Sequence, residues 1–349
     1  MAWSRYIRAL MMGVAALWSV FTLVSCIDED TSDCGKDYTL TYTMKLKVNL
    51  STVLDTELDD EADAAARPVV EGALNSIFKA YASDNDLTFY QPATGRLVRH
   101  ESNQMDGSTA TYTLFMPAAD YRHVALANVQ KEAQVELTDD ETAESLTLRQ
   151  VDALTKDTVE TQHSSLFSAR MNIGESDFTH DMEVDLVMLN AATVVLIDRN
   201  GLTPESVQGC VEGMATSFAL NDSIYQFERN TLVRATHVSG AQHDVLYAVT
   251  LPSRDYIQTA TTASSSLLGI QREPRAEGQD CIWQFHVITR MNGRYTESIL
   301  HLNTPLEAGQ LRVLKVKLQP DGRVVTDLPD VGISVKLDWQ PGGEHDIEM

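Results

Sequence analysis

Strict two-residue alternation constrains this chain most. Residues 38–50 read YTLTYTMKLKVNL, which places Leu40, Tyr42, Met44, Leu46, Val48 and Leu50 on one face. A run of that length and period predicts a long strand with one buried side. Similar patterns predict strands over 87–91, 109–116, 123–129, 182–190, 192–198, 210–220, 231–238, 244–251, 281–290, 294–302, 310–318 and 331–339. Turn residues separate several of them. Asn200-Gly201, Asn292-Gly293 and Pro320-Asp321-Gly322 each mark a reversal. The stretch 131–160 is acidic and polar and reads as loop with a helical turn.

One segment breaks the alternation. Residues 57–83 are acidic and Ala-rich, then carry Val69, Val70, Ala73, Leu74, Ile77, Phe78 and Tyr81. Those three- and four-residue spacings predict an amphipathic helix with Pro68 in its first turn. Many short strands and one helix give an all-β class built from β-sandwiches. The 349 residues suit two domains, divided near residue 190 into 38–190 and 191–349.

The N-terminus is of another kind. Arg5 and Arg8 precede an apolar run over 9–24, which ends at Ser25-Cys26. This is the pattern of a secretory signal peptide, residues 1–25, and the run is short of the ~20 residues that a spanning helix needs. Leu23-Val24-Ser25-Cys26 resembles a bacterial lipobox, in which the cysteine thiol is acylated and becomes the mature N-terminus. Cys26 is therefore the expected lipidation site, and acyl chains supply ~0.8 kcal/mol per buried methylene. Ile27-Asp28-Glu29-Asp30 opens an acidic tether over 26–37 and resembles a surface-export signal.

Charge and cysteines narrow the function classes. The net charge is −23, and two units more negative without residues 1–25, which hold Arg5, Arg8 and no acid. Such a balance opposes nucleic-acid binding. Acylation of Cys26 leaves Cys34, Cys210 and Cys281, an odd number. A Cys210–Cys281 disulfide is one of three pairings open to them. The absence of any CxxC argues against a zinc knuckle.

Catalytic patterns are missing: no GxSxG, HExxH, GxGxxG or P-loop occurs. Asp84-Asn85-Asp86 resembles the start of a calcium loop but lacks the glycine three residues on, where Phe89 stands. It reads as a loop of solvated acids. His243-Asp244 reads as a surface turn, since neighbours on a strand face opposite ways. His286 and His301 read as structural strand histidines, and Ser253 follows Pro252 with no helix start to activate it. The expectation is a protein without enzymatic activity, metal, cofactor or small-molecule substrate.

Taken in order, these patches resemble a known family. Cys26-Ile27-Asp28-Glu29-Asp30 with Ser32-Asp33-Cys34 is similar to the opening of the FimB-type fimbrium anchoring subunits. So are residues 111–117 running into 121–128, Gly309-Gln310-Leu311 before the strand 313–318, and a terminal strand ending at Trp339. The resemblance implies two transthyretin-like Greek-key β-sandwich domains. It also implies a lipoprotein of the outer membrane, exposed at the cell surface, that holds the shaft subunit of a type V fimbria and limits its length. The alternatives are a fimbrial tip or accessory subunit, or a surface lipoprotein that binds a glycan or host ligand.

In such fimbriae a strand of one subunit fills a groove in the next. Ile333, Val335, Leu337 and Trp339 share one face of the terminal strand by alternation. That strand either closes its own domain or is donated to a neighbour. Shaft-forming relatives lose their first strand by cleavage after an arginine. Arg67 stands at the corresponding place, and an anchor is expected to stay uncut there.

Overall fold

The computed structural model describes residues 37–47, 67–75, 77–79, 81–138, 141–255 and 281–339. Among the described residues the fold is all-β, with one α-helix, one short 3-10 helix and four sheets. The signal peptide, Cys26, the acidic tether and Cys34 lie outside the described residues.

The first sheet has seven strands. In chain order they are β1 (Asp37–Lys47), β2 (Ala82–Tyr90), β3 (Leu97–Gly107), β4 (Thr109–Pro117), β5 (Tyr121–Ala127), β9 (Phe167–Ile173) and β10 (Met182–Met188). Their spatial order is β3-β2-β5-β9-β10-β1-β4. β3 and β4 stand at opposite edges, yet only Ser108 separates them in the chain. The sheet therefore rolls until its edges meet, and Arg99 on β3 donates a hydrogen bond to the Phe115 carbonyl on β4. The alternating residues of β1 (Leu40, Tyr42, Met44, Leu46) point into this roll with Leu87, Phe89, Leu114, Val184 and Leu186.

The second sheet runs β16 (Thr236–Ser239), β17 (His243–Thr250), β11 (Ala191–Asp198), β20 (Leu311–Leu318), β21 (Val324–Val325). Both of its faces are buried. Val194, Leu196 and Val249 join the core of the first sheet. Val195, Ile197, Leu246 and Leu314 join a second core with Phe285, Val287 and Leu300. Those last residues come from the third sheet, ordered β22 (Val331–Trp339), β19 (Arg294–Leu302), β18 (Trp283–Met291), β12 (Ser206–Glu212), β15 (Leu232–Arg234), β8 (Thr158–Glu160). β18 and β19 are joined by Asn292-Gly293 at φ 53° and 75°. These are the left-handed conformations that a tight two-residue hairpin demands.

The fourth sheet contains β6 (Val135–Thr138), β7 (Thr147–Gln150), β13 (Ser217–Ala219) and β14 (Ile224–Gln226), and covers the outer side of β2 and β5 with a third core around Leu126, Leu148 and Phe218. Thus the stretch 131–160, expected as loop, supplies three short strands. β7 pairs with β13, and β8 pairs with β15. Residue 190 is where the chain leaves the first sheet for the second, yet β6, β7 and β8 lie in sheets completed by strands beyond it.

Three strands also differ from the local pattern. β2 begins at Ala82, five residues before the expected start, and carries Asp84 and Asp86 buried inside it. β3 and β9 have too many polar residues to announce themselves. The expected strand 210–220 is cut in two at Gly213, which sits at φ 93° with the position of a side-chain carbon 3.0 Å from the Ile282 carbonyl. The helix, α1, covers Arg67–Leu74, shorter than its spacing suggested, and buries Val70 and Leu74. Residues 57–66 lie outside the described part.

Candidate functional site: the strands at the two ends of the fold

β1 is seated between two neighbours. It pairs antiparallel with β4 from Asp37↔Pro117 to Lys45↔Thr109, and parallel with β10 from Tyr42↔Met182 to Lys47↔Val187. A buried polar contact pins it. The His123 ring on β5 places Nδ1 2.9 Å from the Thr88 carbonyl and Nε2 2.9 Å from the Tyr42 hydroxyl. A carbonyl can only accept, so Nδ1 carries the proton and Nε2 accepts from Tyr42. The ring also stacks on Phe89 at 4.2 Å and meets Tyr42 edge-on. Burial pushes the His123 pKa down to about 4, against a smaller upward effect of its bond to Thr88. Burial likewise pushes the Tyr42 hydroxyl up. Both groups are therefore neutral near pH 7.

β22 is the edge strand of the third sheet. It pairs antiparallel with β19, with Val331 opposite Leu302 and Val335 opposite Ser298. Val331 and Ile333 pack against the second core. On the other face, the Ser334 hydroxyl lies 2.7 Å from His301 Nε2, whose Nδ1 is 3.0 Å from the Gln284 amide nitrogen. Of the proposed donor positions, Ile333, Val335 and Leu337 keep a two-residue phase. The register shifts between Tyr295 and Thr296, opposite Trp339 and Leu337. The ladder there takes up one extra residue of the terminal strand, as at a bulge. Among the described residues, no strand pairs with the outer edge of β22.

The disulfide is not formed. Cys210 and Cys281 are both buried thiols. The ladder places Cys210 opposite His286, five residues from Cys281. At the rise of an extended chain that is on the order of 15 Å, roughly twice the Cα separation a disulfide tolerates.

The titratable groups set aside in the sequence are more embedded than expected. Asp84 and Asp86 are not solvated loop acids. Asp86 accepts hydrogen bonds from Ser102 and, at 3.0 Å, from the Gln130 amide, and lies 3.0 Å from His100 Nε2. Asp84 accepts from the Gln130 backbone and the Ser83 hydroxyl. Nor is Asp244 a surface turn. It is the second residue of β17, with 1% of its side chain exposed, held by two hydrogen bonds from Arg199 and one contact with His237. Burial pushes its carboxyl up, but the Arg199 and His237 contacts outweigh that and hold it well below the usual range.

His286 lies between two carboxylates, Glu297 at 2.8 Å from Nδ1 and Glu212 at 3.2 Å from Nε2. Both ring nitrogens are thus within hydrogen-bonding distance of a carboxylate. The Ser253 hydroxyl is consumed by the Arg254 carbonyl and the Leu306 backbone N–H. Trp283 is buried at 1% exposure and donates to the Thr304 carbonyl, so it forms no platform for a sugar ring. An open groove of about 480 Å³ lies outside β9 and β10, and Arg170 is the one charged residue in its lining. Among the described residues, no group of three or more His, Cys, Asp or Glu is placed to hold a metal ion. Among those same residues, no helix is long and apolar enough to cross a membrane.

Neither a family model nor a curated protein matches the chain. Several solved structures are similar in outline. One is a "putative adhesin" from Bacteroides thetaiotaomicron, with 11% identity over 85% of this chain and 96% of that one, at a TM-score of 0.49. Another is the fimbrial anchor protein Mfa2 from Porphyromonas gingivalis, with 11% identity over 86% and 98% at 0.44. A third is the tip fimbrial protein Mfa3 from the same organism, truncated at its C-terminus, with 13% identity over 86% and 100% at 0.41. Likeness at this distance assigns no role to the chain.

Proposed function

We propose that this chain is a lipid-anchored, non-catalytic fimbrial subunit that attaches a type V fimbria to the outer membrane and limits its length. The observation that carries the reading is the seat of β1. The strand that follows the lipobox cysteine and its acidic tether is an inner strand of a sheet, with partners on both sides. A lipid on Cys26 would thus be joined, through the tether, to a strand that the folded body holds on both sides.

The chemistry around Arg67 supports retention of that strand. Arg67 is the first residue of α1, its guanidinium bonded to Glu71 at 2.8 Å, and Pro68 follows it. An arginine-directed protease needs an extended segment and a flexible amide after the arginine. A helical start and a proline ring supply neither. The cut that would separate lipid from body is disfavoured here, as an anchor requires.

The shaft contact is proposed at β22. Its outer edge offers backbone donors and acceptors in the geometry of strand addition. Its inner residues complete the chain's own core, so β22 serves as the template to which a shaft strand adds, rather than leaving its own sheet.

Replacing Cys26 with Ala is the test. The variant should appear in the medium together with any fimbriae it holds. A variant that remains on cells with fimbriae attached would overturn the reading.

A further inference from the structure

We propose that β1 is a mechanical clamp, seated so that tension between the tether and the second half of the molecule shears it along its axis instead of peeling it away. The inference rests on the anchoring role proposed above for its purpose, but its geometry stands alone.

Three observations build it. First, β1 is bonded on both sides, antiparallel to β4 and parallel to β10. Second, its two ends face different parts of the molecule. The Asp37 end lies opposite Pro117 and leads back toward the tether. The Lys47 end lies opposite Val187, where β10 runs on through Asn190 into β11 and the second and third sheets. A pull applied ahead of Asp37 and resisted through the C-terminal end of β10 therefore runs along β1. Under such a pull the backbone hydrogen bonds of both ladders are loaded together. A pull from one end across the strand would load them one pair at a time.

Third, the strand has an axial stop. Slippage of β1 by one two-residue register step would keep its apolar face inward. It would also withdraw the Tyr42 hydroxyl from His123 Nε2 and carry the Tyr42 ring off its edge-on contact. His123 is completely buried, so no water replaces the lost donor. The buried pair thus selects one register among those that hydrophobic alternation alone would permit.

Single-molecule force spectroscopy on the mature chain tests this. One handle is fixed at the N-terminus and the other at an engineered cysteine. Val325→Cys, on exposed β21, or Val187→Cys, at the Lys47 end, loads β1 in shear. Phe115→Cys, exposed and opposite Thr39, loads the same strand by peeling from its Asp37 end. The shear geometries should rupture at a clearly higher force than the peeling geometry. Tyr42→Phe, which keeps the ring and removes the hydroxyl, should lower the shear force and leave the peeling force nearly unchanged. Equal forces in the two geometries would overturn the clamp, and a shear force indifferent to Tyr42→Phe would overturn the axial stop. Neither result bears on whether Cys26 is lipidated, which the release test addresses separately.

Discussion

Two residues explain why a long alternating strand finds a single seat. Tyr42 was legible as one of several buried positions on β1, but nothing local marked it apart from Leu40 or Met44. Its partner His123 lies at the start of another strand, and only the folded sheet brings them to 2.9 Å. The same holds for Glu212, His286 and Glu297, which come from three strands. Tyr42→Phe should cost about 1–3 kcal/mol, because it strands a buried acceptor, and urea unfolding at pH 7.5 would measure it. The pH dependence has a definite sign. His123 has a folded pKa of about 4 against an ordinary value of 6.5, so the unfolded chain takes up a proton first. Its contribution is fully present above pH 6.5 and is lost as pH falls from 6.5 toward 4, by roughly 3 kcal/mol. Unfolding midpoints at pH 7.5 and 4.5 should differ accordingly, and His123→Gln should flatten that difference. Asp244, whose carboxyl is held low, adds its own loss only at more acidic pH.

At the scale of elements, alternation and turn chemistry made the central strands readable. β1, β11, β18, β19 and β20 fall close to their expected places, and the Asn292-Gly293 hairpin sits where its dipeptide put it. What local pattern could not reveal was pairing at a distance. β7 and β8 are four and three residues long, and they are strands because β13 and β15 lie beside them. β2 tolerates Asp84 and Asp86 because Ser83, Ser102 and Gln130 satisfy them. Gly213 carries a sharper constraint. At φ 93° and in contact with Ile282 and Trp283, its replacement by Ala should lower stability by about 1–3 kcal/mol, read by thermal unfolding. Removing residues 331–349 deletes β22, exposes the core residues it covers and should leave the isolated chain unfolded or aggregated, as circular dichroism and gel filtration would show. A truncated chain that folds normally would mean that β22 is dispensable to its own sheet and available for donation.

For the whole molecule, composition and alternation gave the class: an acidic, strand-rich, all-β body. The burial of the second sheet between the first and third was not legible, because a sheet covered on both faces requires partners from distant parts of the chain. A fragment of residues 38–190 made alone should remain soluble only poorly, since β6 to β8 and one face of the first core would lack their covers. A fragment that yields a cooperative unfolding transition would refute that dependence. This interleaving has a consequence for biosynthesis. A chain synthesised from its N-terminus presents β7 and β8 to the solvent well before β13 and β15 have followed, so the early half waits unfinished for the late half. Such a chain folds slowly, and its unfinished half exposes unpaired strand edges and apolar surface while it waits.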